Sequence, residues 1–331
     1  MKICLVGGSG FIGTHLARQL LASGHDISIL DKVQSEAFPS LCTLGDVRDL
    51  GALQAAFRDR ELIVNLAAEH RDNVRPESLY FDVNVAGARN ICEAAKFNSV
   101  ERIIFTSSVA IYGLNSPGAT EDTAAEPFNA YGESKWQAEG VFRSWATEDS
   151  CRSLTIVRPV VVFGEDNRGN VYNLLRQIRS GRFIMVGAGK NKKSMAYIAN
   201  LVDFLESLLT EPRGVMVFNY LDQPDLTTGD LIVTARKALG FREKGFSVPY
   251  WVGLAAGIFF DIVSRVTGKE QSISAVRVRK FCAETSVSAA RLEERKFERR
   301  YSLREGIKRT IQHEFLTKGE AARASDDGSI H

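Results

Sequence analysis

The chain has 331 residues, of which 44% are hydrophobic and 25% are charged, a composition typical of a soluble globular protein with one large or two small domains. Its net charge of only +2 gives no broad electrostatic case for nucleic-acid binding. The five cysteines are scattered, without a Cys-x-x-Cys pair. This pattern favours free thiols in a reducing compartment, so we expect a cytoplasmic protein.

The first half of the chain alternates short, mostly β-branched apolar runs with longer stretches of helical periodicity. Such runs suit strands buried on both faces of a parallel sheet, and their alternation with helices indicates a doubly wound sheet. The predicted strands are residues 3–6, 27–30, 62–66, 102–105 and 154–157, and the predicted helices are 11–22, 50–58, 83–96 and 131–147. We therefore expect an α/β protein with a Rossmann-type doubly wound parallel sheet and a smaller C-terminal substrate-binding α/β region.

A glycine-rich loop lies between the first predicted strand and the first predicted helix. Gly7, Gly10 and Gly13 have the spacing that permits a tight turn, a close approach to a pyrophosphate, and close packing of helix on strand. The helix begins near Phe11 and Ile12, where free N–H groups and the helix dipole favour an anion. The loop predicts a dinucleotide site that includes all five residues.

Asp31 follows the second predicted strand, about 18 residues after Gly13, at the place where a carboxylate binds the adenosine ribose hydroxyls. Such a carboxylate repels a 2′-phosphate, so NAD is favoured over NADP. The neighbouring cation of Lys32 would offset part of that repulsion. We predict that both residues contact the cofactor; the alternative is that Asp31 is an ordinary turn residue at a strand end.

Tyr131 and Lys135 are four residues apart on a predicted helix and so share one face. A free tyrosine, with a pKa of about 10, is a poor base near neutrality. A nearby ammonium and a positive nicotinamide ring favour the phenolate, which would then remove a hydroxyl proton while hydride leaves the same carbon. Ser108 lies just past a predicted strand, where an open α/β sheet places its ligands, and would bind the reacting oxygen.

Together these features resemble the extended short-chain dehydrogenase/reductase superfamily, in particular its NAD-dependent nucleotide-sugar epimerase/dehydratase branch, which includes UDP-glucose 4-epimerases. The matching segments cover roughly the first half of the chain, in the family's order. They are residues 7–13, Asp31, Asp46 and Val47, 65–68, Asn84, 106–113, 131–135, and Arg158 with Pro159. The resemblance implies the family's fold and its use of NAD.

The resemblance also implies roles for individual residues. Ser108, Tyr131 and Lys135 match the catalytic set, and the last two also contact the cofactor. The other residues that it places at the cofactor are Asp46 and Val47 at the adenine, Leu66, Ala67 and Ala68 under the pyrophosphate and nicotinamide ribose, Asn84 near the active-site lysine, Ser107, and Pro159 beside the nicotinamide.

One departure from the family pattern narrows the reaction. Family 4,6-dehydratases carry an acidic pair directly after the position of Ser108, whereas this chain has Val109 and Ala110, whose side chains cannot transfer a proton. The resemblance therefore favours an epimerase that converts a UDP-hexose or UDP-N-acetylhexosamine at C4 through a transient 4-keto intermediate.

Three other functions stay open from the sequence. The first is an NAD(P)H-dependent reductase of a nucleotide 4-keto-6-deoxysugar, which would exchange its cofactor at every turnover. The second is a non-catalytic NAD-sensing protein on the same fold, since fold does not fix function. The third is a steroid- or flavonoid-type dehydrogenase.

Beyond residue 165 the pattern is looser, and the substrate contacts are predicted from charge. We expect Asn170, Lys193 and Arg279 to bind the substrate, because a diphosphate needs cations and arginine offers phosphate a planar fork. If residues 276–280 formed a strand, Arg277 and Arg279 would project from one face. The five histidines show no ligand spacing, so we assign no metal site.

We expect an NAD-binding domain over residues 1–165 that also receives 194–222, a substrate-binding region over 166–193 and 223–317, and a disordered tail over 318–331. The apolar run 251–260 is too short to span a bilayer, and a buried or dimer-interface helix is favoured over one on a membrane surface. The resemblance implies a homodimer through helices 83–96 and 131–147. We expect no nucleic-acid partner and no stable membrane insertion.

Overall fold

The computed structural model describes residues 1–71, 74–113, 116–243, 245–267 and 274–317. The chain divides into two compact units, the first made of residues 1–162, 198–221 and 287–300, and the second of the rest. The predicted tail, 318–331, lies outside the described residues. Residues 287–300 were expected in the substrate-binding region, whereas their contacts place them in the first unit. The ligand that each unit binds stays a prediction.

Strands recur along the whole described chain. They are β1 (Lys2–Val6), β2 (Asp26–Asp31), β3 (Cys42–Leu44), β4 (Leu62–Asn65), β5 (Arg102–Thr106), β6 (Ser153–Pro159), β7 (Val161–Phe163), β8 (Met185–Val186), β9 (Lys192–Tyr197), β10 (Gly214–Tyr220), β11 (Asp222–Thr227) and β12 (Ser247–Val248).

Helices separate most of these strands. They are α1 (Phe11–Ala22), α2 (Leu50–Ala56), α3 (Ser78–Phe81), α4 (Gly87–Phe97), α5 (Ala130–Thr147), α6 (Asn170–Arg179), α7 (Ile198–Ser207), α8 (Thr228–Ala238), α9 (Tyr250–Thr267), α10 (Ala275–Cys282), α11 (Ala290–Glu294) and α12 (Leu303–Ile311). A π-helical turn, Asp82–Ala86, leads into α4, and another, Gln312–Thr317, follows α12.

A seven-stranded sheet in the order β10-β6-β5-β4-β1-β2-β3 organises the first unit. Its neighbouring strands are parallel, and the strand order reverses between β1 and β4, where open α/β sheets bind their ligands. The predicted Rossmann-type doubly wound sheet is confirmed. Strand β3 was not predicted, because it has only three residues and two of them are exposed at the sheet edge.

The core of the first unit lies between the sheet and helices α2, α4 and α5. Its largest side chains are Phe57, Phe105, Phe142 and Trp145, all of them buried. Helices α1 and α7 pack against each other elsewhere in the same unit. The carboxyl ends of the strands are thereby left for the loops that carry the predicted site.

A buried ion pair joins α5 to β6. The guanidinium of Arg158 donates to both carboxylate oxygens of Glu139, at 2.9 and 2.7 Å, and also to the hydroxyl of Tyr112 and the carbonyl of Glu121. Arg158 is 2% exposed and Glu139 is fully buried. Each charge is hydrogen-bonded by the other, which is the condition for tolerating charges in an interior.

The second unit contains two small sheets and a set of helices. Strands β9 and β11 pair antiparallel, β8 and β12 pair parallel, α12 packs on β9, β11 and α8, and α9 packs on α10. Residues 276–280, for which the sequence left an extended conformation open, lie in α10. Ser274 caps that helix by accepting a hydrogen bond from the N–H of Arg277, so Arg277 and Arg279 do not share one face.

We predict that Glu139→Ala lowers the free energy of unfolding by about 3–5 kcal/mol, because it leaves the Arg158 charge buried and unpaired. Urea unfolding of the NAD-loaded protein measures the change. The control is Glu93→Ala, which removes one of the two carboxylates paired with Lys96 at the surface and should cost about 1 kcal/mol or less. Equal losses in the two variants would contradict the account.

Candidate active site

The glycine loop crosses the carboxyl end of β1 in close contact with the loop after β4. Gly7 has a φ of +79°, and a Cβ on it would lie 2.5 Å from the nitrogen of Ala67. A Cβ on Gly13 would lie 2.5 Å from the Cα of Gly8, so the third glycine of the predicted motif is needed for the turn to pack on α1. Gly10 caps α1 with no side chain over its first N–H groups, which leaves Phe11 and Ile12 at an open helix N-terminus.

Asp31 ends β2 directly beside this loop. Its carboxylate accepts hydrogen bonds from the N–H groups of Ser9, at 3.0 Å, and Val33, at 3.1 Å. The structure therefore brings Asp31 to the glycine loop, as the prediction requires. Each bound oxygen keeps a further lone pair for a ribose hydroxyl.

Asp46 and Val47 follow β3 on the same side of the sheet. The Arg48 guanidinium donates to both carboxylate oxygens of Asp46, at 3.0 and 2.7 Å, and this hydrogen-bonded pairing lowers the pKa of Asp46. The carbonyl of Val47 accepts a hydrogen bond from Asn90, which anchors this segment to α4. Exposed Lys32 acts on the Asp46 carboxylate through its charge.

Ser108 ends the segment after β5 and begins a 3₁₀ turn, Val109–Tyr112, that its hydroxyl caps by accepting from the N–H of Ala110. Helix α5 begins directly against this turn, since a Cβ on Gly132 would lie only 2.6 Å from the carbonyl oxygen of Ala110. Asn129 caps α5 by accepting from the N–H of Gly132 at 2.8 Å. These contacts place Tyr131, in the first turn of α5, close enough to Ser108 for the serine hydroxyl to lower the pKa of the tyrosine.

Two opposing effects of its surroundings set the pKa of the Tyr131 hydroxyl. Burial raises its pKa, and the hydrogen bond with Ser108 offsets part of that rise. The ring of Tyr80 lies beside it, with the ring centroids 6.4 Å apart. Without a nearby positive charge this tyrosine is an acid rather than a base at neutral pH.

Lys135 lies one turn further along α5 and is 2% exposed. Its Nζ is 4.3 Å from the centroid of the Phe105 ring, an arrangement that favours the cation. Burial lowers the pKa of Lys135 to about 7, and the negative charge of Glu139 opposes that shift. The lysine therefore gains or loses its proton near neutral pH.

Asn84 ties the loop after β4 to the catalytic helix. Its side chain accepts from the N–H of Glu69 and donates to the carbonyl of Glu69 and to the hydroxyl of Ser134. Glu69 in turn accepts two hydrogen bonds from the Arg71 guanidinium, which lower the pKa of Glu69 to about 2. Asn84 positions the segment under the predicted nicotinamide ribose, while Leu66, Ala67 and Ala68 form its surface.

Several observations fit a bound dinucleotide. The glycine turn has room where side chains would clash, the α1 N-terminus is open, and Pro159 ends β6 at the same edge of the sheet. Ser107 contributes a buried hydroxyl oxygen for which the described part of the chain holds no hydrogen-bond partner. An unpaired buried hydroxyl is costly, and a cofactor group would satisfy it.

Ser108, which is predicted to bind the reacting oxygen of the substrate, lies in the first unit, whereas the other three predicted substrate residues are spread over the second unit. Lys193 Nζ donates to the carbonyls of Lys280 and Ala283, at 3.0 and 2.8 Å, and burial lowers its pKa. Arg279 lines a cavity of 380 Å³ together with Lys190, Tyr250 and other residues. Asn170 begins α6 and is not among the residues that line this cavity.

Motif reasoning missed residues whose importance depends on packing. Gly8 allows the approach of Gly13, and its only signal was the pair of adjacent glycines. Glu69 and Tyr80 belong to no motif that the sequence displays.

One cluster in the second unit has side chains of the kind that bind metal ions. The potential ligand atoms of Asp166, His313 and Glu314 lie within 4.8 Å of one another. The Arg168 guanidinium binds Glu314 at 2.7 Å and already neutralises its charge.

Comparison with known proteins decides the family. The profile of the NAD-dependent epimerase/dehydratase family matches residues 3–219, which is well over half of the chain. The chain belongs to this family. It is therefore an enzyme of the extended short-chain dehydrogenase/reductase type, and its cofactor is NAD, as predicted.

Individual relatives extend the likeness over nearly the whole chain. This family member is 48% identical to the N-acetyl-α-D-glucosaminyl-diphospho-ditrans,octacis-undecaprenol 4-epimerase of Escherichia coli O157:H7, over 95% of the chain and 96% of the relative. It is 30% identical to a UDP-glucose 4-epimerase of Vibrio cholerae, over 82% of the chain and 86% of the relative. The solved UDP-glucose 4-epimerase of Thermotoga maritima shares the fold, with a TM-score of 0.75, 20% identity, and coverage of 95% of this chain and 98% of that one.

We predict that Gly7→Ala abolishes co-purification of NAD, because the added methyl meets the Ala67 backbone at a positive φ that alanine rarely adopts. The matched control is Gly24→Ala. Gly24 has nearly the same φ, +78°, but open space around the added Cβ, so this variant should keep its NAD and lose only about 1 kcal/mol of stability. Equal NAD contents in the two variants would contradict the role of the close approach.

We predict a pH dependence of stability that Lys135 controls. In the NAD-free protein its pKa is about 7, whereas an unfolded lysine titrates near about 10.4. Between these values the unfolded chain binds a proton that the folded chain does not, so this group makes the free energy of unfolding rise with pH. Urea unfolding across that range should show a smaller rise in Lys135→Met than in wild type, and parallel curves would refute the lowered pKa.

Proposed function

We propose that this protein epimerises C4 of a hexose or N-acetylhexosamine that is linked to a diphosphate, through a transient 4-keto sugar. The observation that carries the proposal is the meeting of Ser108, Tyr131 and Lys135 at the carboxyl edge of the sheet that also holds the glycine loop. The two relatives compared in sequence both bear the name of a 4-epimerase. The nucleotide-sugar epimerase expected from the sequence is the first form of this proposal.

The chemistry follows from what each side chain can do. Tyr131 takes the proton from the C4 hydroxyl and later returns it, while Ser108 binds the same oxygen and keeps it in place. When bound, NAD supplies the acceptor and donor of hydride. The ammonium of Lys135, on the same face of α5, counteracts the effect of burial on Tyr131 and favours its phenolate.

The residues after Ser108 limit the reaction to this proton transfer. Val109 and Ala110 form the 3₁₀ turn, and neither side chain can protonate a leaving hydroxyl group or remove a proton from a neighbouring carbon. Elimination of water would need such groups. The site therefore favours oxidation and reduction at one carbon over a 4,6-dehydration.

A second form of the proposal concerns the group that carries the sugar. The relative that is 48% identical has a polyprenyl diphosphate in its name. Its alignment covers 95% of this chain and so includes most of the second unit, where Asn170, Lys193 and Arg279 are predicted to bind the substrate. We therefore propose polyprenyl diphosphate as the alternative carrier to UDP. The sugar and the reaction are the same in both forms.

The proposal also covers the oligomeric state of the protein and the cell compartment in which it acts. We propose a homodimer formed through α4 and α5, which pack on each other and present Trp136, 39% exposed, and the open surface at Gly140. Its support is the family resemblance, and the sedimentation mass tests it. We propose the cytoplasm as the compartment from the scattered cysteines of the sequence.

The first experiment assays purified protein, with its bound nucleotide identified, on UDP-glucose, UDP-GlcNAc and polyprenyl-diphosphate GlcNAc, followed by analysis of the sugars. We expect a C4-inverted product without added NAD(H). Turnover should fall by about 10²–10⁴-fold in Tyr131→Phe, the range that general acid–base groups supply, while bound NAD is retained.

The control is Tyr80→Phe, which alters the neighbouring ring's hydroxyl, bound to the carbonyl of Arg71, and should lose far less activity. Near-normal turnover in Tyr131→Phe would refute the mechanism. Unchanged sugars with all three substrates, together with reduction of 4-keto sugars by added NADH or NADPH, would establish the reductase instead.

A further inference from the structure

Helix α9 exposes an apolar stripe along one face. Its exposed apolar side chains follow the helical spacing i, i+4, i+7, i+8, i+11: they belong to Trp251, Ala255, Ile258, Phe259 and Ile262. Trp251 is 71% exposed and Phe259 is 61% exposed. Large apolar side chains in such numbers on one surface mark an interaction site rather than random exposure. Of the two alternatives favoured from the sequence, a helix buried within the chain does not hold for this face, and a helix at a dimer interface stays a prediction.

The opposite face of α9 packs on the second unit, so the helix cannot rotate to bury the apolar stripe. A Cβ on Gly253 would lie 2.3 Å from the side chain of Val186, and a Cβ on Gly257 would lie 2.7 Å from the nitrogen of Ala275. Asp261 accepts a hydrogen bond from the N–H of Ala275 at 3.1 Å. The glycines thus direct one side of the helix to the protein and leave the apolar stripe outside.

Exposed aromatic residues continue to the first residue of the helix, Tyr250, and to Phe246 in the segment before it. Phe246 is 85% exposed and Tyr250 is 42% exposed, and they precede Trp251 by only a few residues. Aromatic side chains of this kind are enriched where protein meets the headgroup region of a bilayer. Phe246, Tyr250 and the five stripe residues are called the apolar face below.

The charges on α9 and α10 indicate whether the apolar face binds a lipid surface or a second copy of the chain. Helices α9 and α10 carry the basic residues Arg265, Arg277, Arg279 and Lys280, and the single acid Asp261, whose carboxylate is held by a backbone N–H. A basic surface beside an apolar stripe suits anionic lipid. A second copy of the chain would bring the same cations face to face, which is unfavourable.

The length of the helix agrees with a position on the membrane and not across it. Helix α9 has 18 residues, and none of the helices in the described residues has the length and hydropathy of a membrane span. A helix with one apolar face and one face packed on protein lies in the plane of the interface.

The cavity of the second unit opens at the end of this face. Tyr250 belongs to the apolar face and also lines the 380 Å³ cavity, whose wall includes Lys190, Arg279 and the glycines at 187 and 189. The two cations, Lys190 and Arg279, suit a diphosphate. A lipid-linked diphosphate lies at the level of the lipid headgroups. Docking of the apolar face would place the cavity at that same level.

We propose that the apolar face docks on the surface of an anionic phospholipid bilayer and brings the Lys190–Arg279 cavity to a diphosphate anchored there. The docking rests on the surface of the second unit alone. Its use in catalysis rests on the polyprenyl form of the proposed function.

The test is sedimentation of the full-length NAD-loaded protein with vesicles of phosphatidylcholine plus phosphatidylglycerol, compared with phosphatidylcholine alone. We expect binding to the anionic vesicles, weakened by salt. The double variant Trp251→Glu/Phe259→Glu should lower the partition coefficient by about tenfold or more, because it replaces apolar contacts with anions that the lipid repels. Arg265→Glu should weaken binding to anionic vesicles and leave the phosphatidylcholine result unchanged.

The matched control is Phe97→Glu, which places the same charge on a 71% exposed phenylalanine of the first unit and should bind vesicles like wild type. NAD content and thermal unfolding verify that each variant is folded. Absence of vesicle binding in wild type, or equal binding by the double variant, would overturn the proposal. A double variant that changes the sedimentation mass and not the vesicle binding would assign the face to a second copy and equally overturn it.

Turnover is measured separately, on polyprenyl-diphosphate GlcNAc in vesicles and in detergent micelles. We expect the double variant to lose activity at least about tenfold in vesicles, in parallel with its binding, and to keep it in micelles. Vesicle binding without turnover by wild type would leave the docking supported and refute the polyprenyl form of the proposed function. Equal turnover of both proteins in vesicles would overturn the catalytic use of the docking.

Discussion

The contact between the start of α5 and the 3₁₀ turn after β5 is the constraint on which the catalytic site depends. No side chain can stand at Gly132, because the Ala110 carbonyl occupies the space 2.6 Å from where its Cβ would be. The helix can therefore begin only there, with Tyr131 facing Ser108. Lys135 follows one turn later inside the protein, and its low pKa is a consequence of that depth.

The same edge of the sheet gathers the cofactor residues for a related reason. Parallel strands bring their carboxyl ends together, and the loops after β1, β2 and β4 then meet. Gly7 and Ala67 approach so closely that neither loop can be placed without the other. The buried Arg158–Glu139 pair and the Asn84 hydrogen bonds attach α5, which carries Tyr131 and Lys135, to this arrangement.

Local signals were enough to predict much of this fold. The alternation of apolar runs and helices predicted the sheet, and the bounds expected for the first helix, 11–22, are those of α1. The glycine spacing and the tyrosine–lysine pair could suggest a candidate site because their chemistry is set by residues close in sequence. Edge strand β3 escaped prediction because so short and exposed a segment has no apolar pattern.

The rest depended on tertiary contacts that the sequence does not display. The partner of Glu139 appears only when α5 and β6 meet, and the contact between Gly132 and Ala110 appears only when α5 meets the turn after β5. Arg277 and Arg279 alternate with valines as in a strand, yet the cap at Ser274 starts a helix there. The run 251–260 is apolar on nearly every side, so its periodicity could not reveal that the glycine side is covered and the Trp251–Phe259 side is open.

The central claim is that Tyr131 removes and returns the proton of the C4 hydroxyl, while the hydrogen on C4 would pass as hydride to bound NAD and return to the same carbon without exchange. The most direct measurement gives the NAD-loaded protein a substrate with deuterium at C4, in ordinary water and without added cofactor, and follows the label by mass spectrometry and NMR. The account predicts that the C4-inverted product keeps its deuterium at C4. An inverted product that has exchanged the label for solvent hydrogen would contradict it.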